Sequence, residues 1–144
     1  MSKESAYKRI HVVINPAAGK DEPILNVLND IFSEYALDWD ISVTKKYGDA
    51  QQQTRDAIAR GVDLVAGYGG DGTQHEIANA LTGTGIALGV LPGGTGNGFA
   101  HELGLPQTLA EAARLLCDSQ KTRALDVALV GDDFFIQRLY TGTE

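Results

Sequence analysis

At 144 residues the chain is the size of one ordinary domain, and 43% apolar content with mixed charge is the composition of a packed globule rather than a disordered tract. The net charge of −7 argues against a generic nucleic-acid binder, which needs clustered Lys and Arg to displace counterions, and against a domain held on anionic lipid by charge alone. The single cysteine, Cys117, excludes an internal disulfide and fits a reducing compartment.

The polar start, Met1 to Lys8, has no apolar core of a secretory signal, and no apolar run is long enough to span a bilayer. The expectation is a soluble, cytoplasmic domain. Ile10 to Ile14 reads as a β-branched strand closed by Asn15-Pro16. Pro23 opens a helix whose apolar stripe is Ile24, Val27, Leu28, Ile31 and Tyr35. Trp39 to Val43 reads as a second strand with Trp39, Ile41 and Val43 on one face. The basic pairs Lys45-Lys46 and Lys8-Arg9 read as solvated surface. Asp49 with Gln52 resembles a capping box for a helix that stops at Gly61.

Strand Leu64–Ala66 then leads into Gly67-Tyr68-Gly69-Gly70-Asp71-Gly72-Thr73, with a helix from about Thr73 to Leu81. Strand Ala87–Leu91 leads into Pro92-Gly93-Gly94-Thr95-Gly96-Asn97-Gly98, with a short helix through Phe99 and Leu103. Thr108 and Glu111 form a capping box for a helix ending near Cys117, whose thiol reads as buried and inert. Leu125 to Val130 and Phe134 to Tyr140, flanking Gly131-Asp132-Asp133, give a hairpin signal. Repeated strand–helix units predict an α/β fold of three layers, a mostly parallel sheet with helices on both faces and ligands at the carboxyl ends of its strands.

Strand, glycine run, helix is how a sheet offers bare N–H groups and a helix N-terminus to an anion, so two such runs point to a bound polyphosphate. Gly67, Gly69 and Gly72 satisfy the dinucleotide fingerprint, but the next strand ends in Leu91-Pro92 without the acid that holds a ribose. A bare Asp71 within the loop repels a pyrophosphate unless it holds Mg²⁺ or takes a proton from a hydroxyl acceptor; its other reading is a tight turn. Thr95 and Asn97 offer a hydroxyl and an amide suited to a phosphate and to a sugar or base edge, or to hydrogen bonding within their own loop. His75-Glu76 and His101-Glu102 lack a second histidine four residues on, which removes a zinc-protease reading. His11 reads as a core or edge residue of its strand.

Three motifs in register resemble the diacylglycerol kinase catalytic domain: Asn15-Pro16-Ala17-Ala18-Gly19-Lys20; Gly69 to Thr73 with Glu76 and Asn79; and Leu91-Pro92-Gly93-Gly94-Thr95-Gly96-Asn97. Bacterial lipid kinases and sphingosine kinases share that domain, and NAD kinases are more distant relatives. The resemblance implies the N-terminal domain fold of the NAD kinase and diacylglycerol kinase group, and ATP-dependent, Mg²⁺-assisted phosphorylation of a lipid hydroxyl during visits to the membrane. It implies that Asn15, Gly19 and Lys20 line the nucleotide pocket near the adenosine. It implies that Gly69, Gly70, Gly72 and Thr73 wrap the phosphates, with Asp71 as catalytic base or metal ligand. Glu76 is then expected to support that loop, and Gly94, Thr95 and Asn97 to contact phosphates and nucleoside. Two positions depart from the pattern: Gly98, where many members carry Asp, and His75, where Asn is common.

The strand pattern runs to Tyr140, close to the end of the chain, whereas members of this family look two-domain. The expectation is therefore an ATP-binding domain over residues 1–144 without its C-terminal β-rich partner, binding nucleotide weakly and turning over little lipid. Its last strands are then exposed and able to pair between copies. A nucleotide-sensing module without chemistry, and a kinase of a soluble acceptor such as NAD, are the alternatives.

Overall fold

The computed structural model describes residues 3–5, 7–17, 22–92 and 108–118, with the backbone alone of 128–130 and 133–135. Among these residues the elements in chain order are β1 (Arg9–Ile14), α1 (Ile24–Phe32), β2 (Asp38–Val43), α2 (Asp49–Ala59), β3 (Leu64–Gly69), α3 (Asp71–Leu81), β4 (Ala87–Pro92), α4 (Leu109–Cys117), β5 (Ala128–Val130) and β6 (Asp133–Phe135). The first four strands form one parallel sheet in the order β2-β1-β3-β4. β5 and β6 pair antiparallel, with Val130 opposite Asp133, which is the expected hairpin.

The three-layer expectation holds. Strand side chains alternate between two cores. Ile10, Val12, Ile14, Leu64, Ala66, Tyr68 and Leu91 pack against α1 and α4. Val13, Val65, Leu88 and Val90 pack against α2 and α3. β1 and β3 sit between neighbours and are buried on both faces, whereas the edge strand β2 is only half-buried. The chain moves one way from β1 to β2 and the other way from β2 onward. With crossovers of one hand, the first connecting helix must lie on one face and the next two on the opposite face. The sheet therefore has a switch point between the carboxyl ends of β1 and β3, where a crevice opens.

Several local expectations change. Gly67 to Gly69 belong to β3, not to a loop, and α3 begins at Asp71, so a single residue, Gly70, joins strand to helix. Close approach makes this possible. A Cβ on Gly67 would lie 2.6 Å from Ile77 Cδ1 and 2.7 Å from Gln74 Oε1, and one on Gly69 2.7 Å from Thr73 Oγ1. The Asp49–Gln52 capping box does not form, because Gly48, at φ 96°, is the N-cap of α2. The Asp49 carboxylate instead accepts from the backbone N–H of Lys45 (2.8 Å) and Lys46 (3.1 Å). α1 ends at Phe32, so Tyr35 lies beyond it, and Phe32 is buried edge-on to Trp39, 5.2 Å between ring centroids.

Other expectations stand. Gly61, at φ 87°, follows the last turn of α2 in the left-handed conformation that suits glycine. Thr108 caps α4, accepting from Glu111 N–H at 3.3 Å. Cys117 is buried, and that burial pushes its thiol up to about 12. Glu34, just after α1, receives both terminal nitrogens of Arg114 from α4 (2.8 and 3.2 Å) and Lys3 Nζ (3.2 Å). The short helix expected through Phe99 and Leu103 lies outside the described residues.

Candidate functional site

The switch point gathers residues from four elements. The backbone N–H of Asn15, just past β1, donates to Tyr68 C=O at 2.9 Å. Its side-chain oxygen accepts from Ala17 N–H at 3.1 Å, turning the chain away from the sheet. Its side-chain nitrogen donates to Thr73 Oγ1 at 3.3 Å, so the end of β1 is tied to the first turn of α3 across 58 positions of sequence. Gly69, the last residue of β3, pairs with Pro92, which opens the second glycine run. The two runs therefore leave the sheet from adjacent strands.

Gly70 is the N-cap of α3 and has no side chain to place over the helix end. The first N–H groups of a helix have no partner within it and carry the positive end of its dipole. Gly70, Asp71 and Gly72 are at least partly accessible, while Thr73 is buried beneath them. No Cβ contact crowds Gly72. The arrangement is a candidate cradle for an anion, a helix start without a side-chain cap and with the acidic residue Asp71 in its first turn. One carboxylate beside phosphates meets what Mg²⁺ asks of a protein, since that ion keeps several waters and phosphate oxygens. Among the described residues no group of three His, Cys, Asp or Glu side chains stands together as a ready metal site.

Glu76 is not at this cradle. Its carboxylate accepts from Gly48 N–H at 2.9 Å and Gln51 N–H at 3.4 Å, capping α2 from the neighbouring helix. The support that its position in the motif suggested is therefore given to the β2–α2 turn. Of the other expected residues, Asn15, Gly69, Gly70, Asp71, Gly72 and Thr73 come together. Gly19, Lys20, Gly94, Thr95 and Asn97 lie outside the described residues, as does Gly98. His75 is exposed on α3.

Three contributors had escaped the sequence reading. Thr44, just past β2, is buried at the same edge, its N–H donating to Ile14 C=O at 2.9 Å. The rule that ligands sit at the carboxyl ends of strands was the available signal. The hydroxyl of Tyr68 donates to Glu22 at 2.5 Å, fastening the segment before α1 to the end of β3. Gln74 lies on the buried stripe with Ile77, Ala78 and Leu81, a polar residue at an apolar helix position. Its Nε2 donates to Gly67 C=O at 2.7 Å, which pins α3 to β3 just below the cradle, and its Oε1 has no partner.

A second polar cluster crosses the sheet elsewhere. His11 is buried, with Nδ1 2.7 Å from Asp40 Oδ1 and Nε2 2.8 Å from Ser42 Oγ. The order Asp, His, Ser resembles a hydrolytic triad, but the Ser42 hydroxyl donates to Gln53 Oε1 at 2.7 Å, and Gln53 Nε2 donates to Val43 C=O at 2.9 Å. This cluster stitches β1, β2 and α2 together, and His11 is a core residue as its strand position suggested.

Comparison with known proteins agrees with the fold. The model of the family described as "Diacylglycerol kinase catalytic domain" matches residues 9–130. "Probable lipid kinase YegS-like" of Klebsiella pneumoniae (strain 342) is 36% identical over 126 residues, covering 86% of this chain and 42% of that protein. "Probable lipid kinase YegS-like" of Citrobacter koseri is 32% identical over 135 residues, covering 91% of this chain and 44% of that one. The crystal structure of a diacylglycerol kinase from Bacillus anthracis strain Sterne superposes with a TM-score of 0.73 at 34% identity, covering 91% of this chain and 50% of that chain. The chain thus spans half or less of the length of these relatives.

Proposed function

Because the chain belongs to the diacylglycerol kinase catalytic domain family, we propose that it is the nucleotide-binding part of a lipid kinase, taking ATP at the carboxyl edge of its sheet. One observation carries this reading: an α3 N-terminus capped only by Gly70, joined directly to β3 and tied to β1 through Asn15 and Thr73. Its neighbour, β4, feeds the second glycine run from the position beside Gly69. Backbone N–H groups of the α3 turn would receive the phosphates, and Asn15 and Thr44 would border the nucleoside side of the crevice.

In the proposed reaction a lipid hydroxyl oxygen forms a bond to the γ-phosphorus while the bond to the β–γ bridging oxygen breaks, releasing ADP. The hydroxyl proton passes to Asp71 or, where Asp71 instead holds Mg²⁺, to solvent. Mg²⁺ supplies neutralisation of the phosphate charge when bound. Positioning and electrostatics carry most of the catalysis in such transfers, and that is what a rigid strand–glycine–helix junction supplies. Among the described residues no helix is long and apolar enough to cross a membrane.

The test is a calorimetric titration of this chain with MgATP, beside NAD and beside ATP without Mg²⁺. Saturable, Mg²⁺-dependent binding of ATP alone is the expected result, with weak affinity. Preferred binding of NAD would return the dinucleotide fingerprint to first place. In the longer enzyme, Asp71→Asn should abolish most turnover, and a near-normal rate would remove Asp71 from the chemistry. Robust lipid phosphorylation by the 144-residue chain would overturn the expectation that it turns over little lipid by itself.

A further inference from the structure

Gln74 is 1% exposed, on the same stripe of α3 as Ile77, Ala78 and Leu81. Its amide end enters the core on the α2 and α3 face of the sheet, where Gly67 lies between Val13 and Val90 in register. A Cβ on Gly67 would meet Gln74 Oε1 at 2.7 Å and Gln74 Cδ at 3.1 Å, so the amide occupies the space that the glycine leaves. Among the described residues Oε1 has no hydrogen-bond partner. A buried amide oxygen left so lowers stability, and an apolar side chain of this length would avoid that loss. Local rules broken without a stabilising gain gather at functional sites.

What Gln74 does make are two bonds to the strand–helix junction. Its backbone N–H donates to Gly70 C=O at 3.3 Å, closing the first turn of α3. Its side-chain Nε2 donates to Gly67 C=O at 2.7 Å. One residue thus holds both ends of the connection from Gly67 to Gly70. The residue before it, Thr73, is held from another direction, by Asn15 just past β1. Adjacent residues anchored to two different strands fix both the height and the rotation of the turn that carries Gly70, Asp71 and Gly72.

We propose that Gln74 is a positioning residue for phosphate binding: its amide, seated over Gly67, sets the attitude of the α3 N-terminus toward β3 while lowering stability. The purpose rests on the nucleotide reading of the cradle; the anchoring does not. Gln74 is buried, so it acts through Gly67 and the turn rather than on the ligand. Helix ends open for little free energy. A hydrogen bond to a carbonyl shifts such an equilibrium by up to about tenfold. That is enough to decide whether the turn stands ready for an anion most of the time or only part of it. Affinity then scales with the ready fraction.

Gln74→Met keeps the length and the apolar stem of the side chain but removes its amide. The melting temperature should equal or exceed that of the parent. Amide hydrogen exchange at positions 74 and 75 should quicken by up to about tenfold, while exchange at Ala78 and Leu81 stays slow. Calorimetry should find MgATP bound more weakly by up to the same factor. A merely structural bond gives the reverse, a lower melting temperature with affinity unchanged. That result, or unchanged exchange in the first turn, overturns the proposal, and so does faster exchange with unaltered MgATP affinity. A parent chain that binds no MgATP, beside a variant whose first turn exchanges faster, sinks the nucleotide reading and leaves the anchoring standing.

Discussion

Two glycines three positions apart in the same motif should respond to alanine with opposite signs. At Gly69 the new Cβ would lie 2.7 Å from Thr73 Oγ1, 3.0 Å from Thr73 Cβ and 3.2 Å from Asn15 Cβ. Thr73 is buried in the first turn of α3 and Asn15 is hydrogen-bonded to it, so neither side has room to yield without parting the two. Overpacking of this kind costs about 1–3 kcal/mol. Taking about 2 kcal/mol, the melting temperature of a domain this size should fall by roughly 4–8 °C. At Gly72 a Cβ meets nothing within 4 Å, and the residue is helical. There the methyl removes unfolded-state freedom and should stabilise by about 0.4–1 kcal/mol. Thermal or urea unfolding of both variants reads the signs directly. If Gly69→Ala left stability unchanged, or Gly72→Ala lowered it as much, the close-approach argument would fail. The same proteins also report on ligand binding. Gly72→Ala should bind MgATP less tightly although it is more stable, because only a ligand then explains a bare backbone at that position.

Other expectations follow from the described contacts. Glu76→Ala leaves the N–H groups of Gly48 and Gln51 without their acceptor and should destabilise by about 1–3 kcal/mol, whereas Glu76→Gln keeps an oxygen and should recover over half. Equal losses for the two would show that this oxygen does not cap α2. Cys117 should stay unmodified by a disulfide reagent at about pH 8 until urea unfolds the chain. Its thiol is pushed up to about 12 by burial, against 9.0 ordinarily. Between those values the unfolded chain has released a proton that the folded chain keeps, so stability should fall as the pH rises through that window. The Glu34 carboxyl is held below its ordinary 4.5 by Arg114 and then Lys3. Its contribution is complete above that value and is lost as the pH falls through the lower, folded one. Glu34→Gln should therefore flatten the acid limb of a melting-temperature profile, and an unchanged limb would count against the pair.

Much of this molecule is local information. Runs such as Ile10 to Ile14 and Leu64 to Ala66, the stripe through Leu28 and Ile31, the cap at Thr108 and the glycine at 61 each declare themselves within a few residues. Steric and hydrophobic preferences act at that range, and they were enough to predict a parallel α/β sheet and to point to its carboxyl edge as the place to look for a ligand. The motifs that placed the chain in its family are local too.

Tertiary structure decided what depends on strand order and on how closely layers approach. Gly67 to Gly69 read as loop because glycine weakens a strand, yet they extend β3, since β1 and β4 pair on both sides and Gln74 and Thr73 occupy the space their side chains would fill. Asp49 looked like a helix cap and became a clasp for the preceding turn, because Glu76 of α3 had already taken the N-terminus of α2. Asn15 meets Thr73 only because the chain reverses its direction of travel across the sheet, bringing together residues 58 positions apart. No periodicity reports such a meeting. It arises when two apolar faces are buried at once, and the order of strands that buries them both also forms the cradle.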